Sequence, residues 1–151
     1  MIQILVDADA CPVKDKIYKV ALRHGVAVKI VSNSAFRVLA HPLVERVVVG
    51  SGFDEADDWI AERASATTIA ITADILLADR CLKAGATVLS PTGKPFTDNS
   101  IGSAIAARAI MADLRAGAGV TGGPAPFAQK DRSRFLAALD EALVKMKRAI
   151  V

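Results

Sequence analysis

Short apolar runs alternate with helix-like patterns through the first two thirds of the chain, and this alternation constrains the fold more than any other feature. We predict five strands, over Ile2–Val6, Val26–Val31, Arg46–Val49, Thr68–Thr72 and Thr87–Leu89. Continuous apolar strands separated by helices form parallel sheets that are covered on both faces. The chain is therefore predicted to be an α/β protein that binds its ligands at the carboxyl ends of the strands.

Helical patterns fill the intervals and continue beyond the last strand. The predicted helices cover Pro12–His24, Asp54–Ala64 and Ile75–Lys83, followed by about Ile101–Ala116 and Asp131–Ala149. Pro12 suits a first helical position, and Gly25 follows the first helix where a stop is expected. A Gly/Pro-rich loop over 117–126 joins the last two helices. With 151 residues and no internal repeat, we predict one domain over 1–151, with its alternating core at about 1–90 and the C-terminal helices at about 100–151.

Charge and cysteine content limit the class of protein. Residues 1–79 hold eight Lys and Arg against eleven Asp and Glu, a balance of −3, whereas residues 80–151 hold eleven against five, a balance of +6. An acidic half joined to a basic half suits a site that binds cations and then a polyanion, although ordinary surface variation also explains it. Cys11 and Cys81 form no CxxC pair, which favours free thiols in a reducing compartment. No secretory signal or spanning segment is apparent, so we expect a cytoplasmic protein without a membrane partner.

Carboxylates concentrate at the ends of predicted strands. Asp7 and Asp9 end the first strand in VDADACP, and Asp74 ends the fourth in ITADILLAD. If these two strands are neighbours, the three side chains meet at one rim, where their repulsion favours a bound cation. Oxygen ligands suit Mg²⁺ or Mn²⁺. The alternative for Asp74 is that it caps the helix it precedes.

Other reactive residue types carry weaker signals. The acids in GFDEADDWI open a helix, where capping and the helix dipole explain Asp54 and Glu55, while Asp57 is harder to dismiss. His24 at a helix end and His41 in a loop do not resemble catalytic bases. A haloacid-dehalogenase-type phosphatase would use the DxD of Asp7 and Asp9. That class also needs a lysine after its second strand, and none lies between Ile30 and Leu82.

Six sequence blocks carry a closer resemblance. The chain resembles the bacterial YaiI/YqxD family, an uncharacterised family related in fold to PIN and NYN domains. The resemblance covers essentially the whole chain and rests on VDADACPVKDKI, SNS, GFDEADDWI, TADILLADRCL, GKPFT and GVTGGPAPFAQKDRSRF. It implies a three-layer α/β/α fold with a parallel five-stranded sheet of order 3-2-1-4-5. Proteins of this fold often dimerise, so a homodimer is one candidate partner, although the sequence does not give the oligomeric state.

The resemblance further implies an acidic pocket. On that mapping Asp7, Asp57 and Asp74 are the catalytic acids, with Asp9 and Asp79 as accessory metal ligands and Asn33 as a polar residue near the pocket. The hypothesis that follows is hydrolysis of phosphodiesters, in RNA rather than DNA, assisted by Mg²⁺ or Mn²⁺. A non-catalytic RNA- or protein-binding module with the same acidic rim is the alternative from another functional class.

Basic residues supply candidates for the nucleic-acid contacts. We expect the phosphate backbone to be bound by a set of five cationic side chains, Lys14, Lys94, Lys130, Arg132 and Arg134. For Arg132 and Arg134, an ordinary solvated helix face is an equally good explanation. Loop aromatics are few, which argues against a dedicated reader of single-stranded sequence.

Overall fold

The computed structural model describes residues 2–8, 13–33, 37–50, 55–103, 105–106 and 129–150. Its strands are β1 (Gln3–Asp7), β2 (Ala27–Ser32), β3 (Val44–Val48), β4 (Thr68–Ile71), β5 (Thr87–Leu89) and β6 (Pro95–Phe96). Its helices are α1 (Lys14–His24), α2 (Glu55–Arg63), α3 (Ile75–Lys83), α4 (98–103 and 105–106) and α5 (Gln129–Ile150).

The strands form one sheet of order β3-β2-β1-β4-β5-β6. The first five are parallel, which confirms the predicted fold class and the order 3-2-1-4-5. The sixth strand was not predicted and pairs antiparallel with β5. Because it holds only two residues, it has no detectable alternation of apolar and polar side chains. β1 lies at the centre, between β2 and β4, so the polar residues that end these three strands share one edge of the sheet.

Helices cover both faces of the sheet, each over its own apolar cluster. On one face α1 and α5 pack over Ile4, Val6, Ile69 and Ile71. On the other face α2, α3 and α4 pack over a second set that includes Leu5, Ala70 and Val88. Alternate residues of β1 and β4 thus point into opposite layers, as the two-residue period of a strand requires. The architecture is a three-layer α/β/α sandwich.

Several predicted bounds are reproduced, and the differences have physical causes. α3 and β5 have the predicted bounds, and Gly25 ends α1 in the left-handed conformation at φ 68°. β3 starts at Val44, two residues before the prediction, because the Val28 amide donates to the Leu43 carbonyl at 2.7 Å and extends the pairing. α1 starts at Lys14 instead of Pro12, and Pro12 lies outside the described residues.

The C-terminal helix runs along α1 in the same direction. Its middle and end meet the last turn of α1, where Asp140 contacts Arg23 at 2.7 Å and Lys147 donates to the His24 carbonyl at 2.9 Å. Its first turns lie against Gly93, beyond the carboxyl end of β5. α5 therefore begins at the carboxyl end of the sheet and contains the predicted helix Asp131–Ala149.

The other predicted C-terminal helix begins earlier than expected. Helical residues start at 98 instead of Ile101, because Thr97 Oγ1 accepts from the Ser100 amide at 3.1 Å and caps the helix. Its predicted continuation over 107–116 and the Gly/Pro-rich loop over 117–126 lie outside the described residues. Among the helices that the structure describes, none combines the length and the apolar character needed to span a bilayer.

Candidate acidic site at the carboxyl end of the sheet

The last residue of the central strand is a buried carboxylate. Asp7 ends β1 and is 7% exposed. Since Leu5 packs into the α2/α3 layer, the period of the strand directs Asp7 toward the same layer. Burial of an aspartate requires hydrogen-bond donors or a cation around it. The position of Asp7 is therefore set by the strand, and its burial keeps it a candidate site residue.

Thr72 joins the carboxylate of β1 to the end of β4. Its hydroxyl donates to Asp7 Oδ2 at 3.0 Å and accepts from the Asp74 amide at 2.9 Å. Thr72 is 1% exposed, and it lies on the same face as Ala70, two residues earlier. The structure thus brings Asp7 and Asp74 to adjacent strand ends, linked by one buried hydroxyl. Sequence reasoning missed this role of Thr72, because the residue looks like an ordinary strand residue in the sequence.

Asp74 also caps α3. Its Oδ1 accepts from the amides of Leu76 at 2.9 Å and Leu77 at 3.2 Å, in the N-cap position with extended backbone angles. The capping interpretation of Asp74 is therefore correct. One carboxylate can cap a helix through one oxygen and bind a cation through the other, so the two roles are compatible.

The first turn of α2 brings more negative charge to this layer. The Glu55 carboxylate packs directly on Gly50, so closely that a side chain at Gly50 would overlap it. Because Gly50 follows β3, the start of α2 lies over the end of this edge strand. Asp58 is exposed and accepts from Arg80 on α3 at 2.8 Å. This hydrogen bond raises the pKa of Arg80, and the charges of Asp58 and Asp57 raise it further. Asp57 therefore adds to a negative potential across α2 and α3.

A buried thiol lies beside these acids. Cys81 on α3 is fully buried, and burial is the main cause that raises the pKa of its thiol to about 11. The charge of Asp57 raises that pKa as well, while Arg80 lowers it. Burial therefore favours the neutral thiol, and Cys81 packs as an apolar side chain of the α2/α3 layer. Cys11 lies outside the described residues.

The remaining predicted acidic and polar residues are placed as follows. Asp79 pairs with Lys83 at 2.9 Å, one turn along α3, and Asn33 is exposed directly after β2. Asp9 lies outside the described residues. Within the described part of the chain, no three His, Cys, Asp or Glu side chains are grouped closely enough to bind a metal ion. The geometric core of the site is therefore the pair Asp7 and Asp74 with Thr72.

The predicted phosphate contacts lie at the same end of the molecule. Gly93, with φ 86°, packs so closely on α5 that a Cβ there would come within 2.7 Å of the backbone of Arg134 and Phe135. This contact places Lys94 beside the first turns of α5. Exposed Lys94, Lys130 and Arg134 and half-buried Lys14 and Arg132 thus border the carboxyl end on the α1/α5 side.

His24 belongs to the opposite end of the sheet. Its Nε2 lies 2.7 Å from Asp140, and its Nδ1 lies 3.2 Å from Lys147 Nζ. Because the ammonium of Lys147 can only donate, Nδ1 accepts and Nε2 carries the proton in this arrangement. The hydrogen bonds from His24 and then from Arg23 lower the pKa of Asp140. This cluster joins α1 to α5.

Comparisons with known proteins agree with the resemblance of the sequence blocks. The profile of the uncharacterised YaiI/YqxD family matches residues 5–145. The UPF0178 protein of Sphingopyxis alaskensis is 70% identical over 148 residues, which cover 97% of this chain and 96% of the relative. The UPF0178 proteins of Nitrobacter winogradskyi and Rhodopseudomonas palustris are 60% and 58% identical, over 98% and 97% of this chain and 94% and 89% of theirs. No solved structure matches the chain.

Proposed function

The chain belongs to the uncharacterised YaiI/YqxD family, and we propose that it is a metal-dependent nuclease that hydrolyses phosphodiester bonds, in RNA rather than DNA. One observation carries the proposal. The buried carboxylate of Asp7 accepts from the Thr72 hydroxyl, which itself accepts from the backbone amide of Asp74, so the two aspartates lie at the carboxyl ends of adjacent parallel strands. Open α/β sheets bind their ligands at this edge.

The donor set fits a hard divalent cation. Asp7, Thr72 and Asp74 offer oxygen atoms alone, and Mg²⁺ and Mn²⁺ prefer oxygen ligands. Mg²⁺ keeps several water molecules and binds through one or two protein carboxylates, so a pair is sufficient. In the proposal Asp7 and Asp74 bind the cation, and Asp57, at the start of α2, holds a water molecule of its shell.

In the proposal, the two faces of the sheet have different functions at the carboxyl end of the strands. A bound divalent cation would supply water activation and stabilisation of the leaving oxygen. Asp7 is positioned by the central strand and by Thr72, while Asp74 is positioned by the first turn of α3. Lys94, Lys130 and Arg134, on the opposite face, hold phosphates of the flanking backbone. The acidic layer thus binds the cation and the basic layer binds the polyanion.

A cleavage assay with matched variants tests the proposal. Labelled RNA and DNA are incubated with the purified protein and Mn²⁺ or Mg²⁺, with and without EDTA. The Asp7→Asn and Asp74→Asn double variant keeps both hydrogen-bond acceptors and removes both charges. We expect metal-dependent cleavage by the native protein and a loss of at least about a hundredfold in the variant.

Asp58→Asn is the matched control, because Asp58 is an exposed carboxylate of the same layer that pairs with Arg80 outside the Asp7–Asp74 link. This variant should cleave like the native protein. Cleavage that persists in the Asp7→Asn and Asp74→Asn variant would come from a contaminant or from another site, and it would refute the assignment.

A non-catalytic RNA- or protein-binding module is the second candidate, and one observation favours it. Asp74 already has a structural task as the cap of α3, and Asp7 already accepts from Thr72. On this alternative, calorimetric titration with Mn²⁺ gives no saturable heat. On the nuclease proposal it gives binding that is lost in Asp74→Asn. Hydrolysis of nitrophenyl phosphate in the same buffer would instead favour the phosphatase alternative.

A further inference from the structure

A groove of about 620 Å³ runs along α5, over the part of the sheet formed by β5 and β6. Of the described helices, α1 and α5 lie on this face, and both pack over the central strands. Neighbouring strands are about 4.8 Å apart and packed helices about 8–10 Å, so two helices leave part of a six-stranded sheet uncovered. One wall of the groove is therefore sheet, with Thr87, Leu89 and Pro95, and the other wall is α5.

The end of the groove nearest the carboxyl ends of the strands combines an apolar wall with a cation. Gly93 packs on the backbone of Arg134 there, and the side chain of Arg134 is 49% exposed. The adjoining lining consists of Leu89, Pro95 and Ala137, which have no hydrogen-bonding side chains. Apolar concave surfaces with a few well-placed polar groups are typical of ligand sites. We call this part of the groove the Arg134 end.

The other charges of the groove leave the Arg134 end positive. Glu141 and Lys145 line the groove about two and three turns further along α5, and they pair with each other at 3.3 Å. Their charges therefore offset each other, about 10 Å or more from Arg134 along the helix. Asp131 lies 3.9 Å from the Arg134 guanidinium, a long contact that a phosphate can replace. Exposed Lys94, directly after Gly93, adds a second cation at this end.

We propose that the Arg134 end of the groove holds an unpaired base of the RNA substrate, while Arg134 and Lys94 hold the adjoining phosphates. The assignment rests on the proposed function, because there the same cations bind the substrate strand. A nucleotide carries a flat, largely apolar ring next to an anion, and this combination matches the lining. A base inside a duplex is paired and stacked, so the substrate strand has to be unpaired at this position.

The lining and the position of the groove determine how the base is bound. Since Leu89, Pro95 and Ala137 have no hydrogen-bonding side chains, the base is held by packing, which does not discriminate between the four bases. β5 lies two strands from β1, so their ends are about 10 Å apart. The held base therefore belongs to the flanking strand, a few nucleotides from the phosphodiester that reaches Asp7.

Binding measured without cleavage tests the proposal. The Asp7→Asn and Asp74→Asn variant in EDTA is used as the parent protein, so that fluorescence anisotropy reports affinity alone. The probes are a short single-stranded RNA and an abasic ribose-phosphate strand of the same length and charge. We expect the RNA to bind at least about tenfold more tightly than the abasic strand, because only the RNA can place a base in the groove.

Substitutions in the parent protein locate the base and the phosphate. Ala137→Phe fills the apolar wall at an exposed position, and it should weaken RNA binding about tenfold without changing the salt dependence or the affinity for the abasic strand. Ala84→Phe, at an exposed position that ends α3 on the other face, is the matched control. Arg134→Gln should weaken both strands and reduce the salt slope by about 0.7. Arg148→Gln, at the far end of α5, should bind like the parent.

Each outcome is decisive. Equal affinity for the RNA and the abasic strand overturns the base site, because binding is then electrostatic alone, and this comparison needs no substitution in the groove. Undiminished RNA binding by Ala137→Phe, with an intact circular dichroism spectrum, overturns the groove as the location. Failure to bind either strand also overturns the proposal. Failure of the proposed function is a separate result, in which the native protein shows no metal-dependent cleavage while these differences in binding persist.

Discussion

The dual role of Asp74, as helix cap and as cation ligand, can be separated by two substitutions. Asn accepts N-cap hydrogen bonds nearly as well as Asp, whereas Ala has no acceptor. Both substitutions remove the negative charge, so effects of charge on the helix dipole and on Asp7 cancel when the two variants are compared. The difference between them measures the two amide contacts that Asp74 Oδ1 makes with Leu76 and Leu77.

The magnitude follows from the cap geometry. Replacement of an N-cap aspartate by alanine costs about 0.5–2 kcal/mol of unfolding free energy. We expect Asp74→Ala to be about 1 kcal/mol less stable than Asp74→Asn, with a melting temperature lower by about 2–4 °C for a chain of this length. Calorimetric or circular dichroism melts in EDTA give this difference directly.

The cation role is measured in the same melts with Mn²⁺ added. A ligand at a hundredfold excess over its dissociation constant stabilises the folded state by about 2.7 kcal/mol. The native protein and the Asp58→Asn control should show this increase, and both Asp74 variants should lose it. If Asp74→Asn is as unstable as Asp74→Ala, the cap reasoning is refuted. If Asp74→Asn keeps the full Mn²⁺ effect, the metal assignment is refuted.

Three further predictions concern the core and the opposite end of the sheet. In a Cys11→Ser background, Cys81 should react with a thiol reagent at neutral pH only on unfolding, because its side chain is fully buried and burial also raises the pKa of the thiol to about 11. The hydrogen bond from His24 lowers the pKa of Asp140 in the folded state. Asp140 therefore stabilises the fold above its unfolded pKa, and this contribution disappears as the pH falls through its folded pKa. Replacement by the neutral residue in Asp140→Asn should flatten the acidic part of a curve of stability against pH. Phe135→Ala should cost about 3–5 kcal/mol in urea unfolding, because this ring is fully buried between α5 and the sheet.

The five parallel strands were predictable because the sequence patterns that indicate them are local and pronounced. Apolar runs bounded by turn residues indicated β1 to β5, and Gly25 and Gly85 mark the helix ends at which the next strands begin. The ends of strands were less predictable, since pairing with a neighbour decides them. β1 extends to Asp7 because Asp7 pairs with Val31 of β2, a partner that hydrophobicity does not reveal.

The sequence indicated which strand ends form the candidate site, but it did not indicate the contacts between their residues. The convergence of Asp7 and Asp74 follows from the strand order, which the family resemblance implied. The hydroxyl that links them is on Thr72, which looks like an ordinary strand residue in the sequence. Asp79, predicted as an accessory metal ligand, pairs instead with Lys83 four residues later, at a spacing that brings opposite charges together on a helix surface.

At the carboxyl end of the sheet, the candidate acids and the candidate phosphate-binding cations lie on different faces. The acidic residues of the first half, Asp7, Asp57 and Asp74, occupy the α2/α3 layer, while Lys130 and Arg134 of the second half begin α5 on the other face. Both groups lie at the carboxyl end because α5 runs parallel to α1 and starts where the strands finish. A polyanion bound to the basic side would therefore have to cross the strand ends to reach the acids. For this reason the Asp7–Thr72–Asp74 link, at the centre of that edge, is where we expect the phosphodiester to be cut.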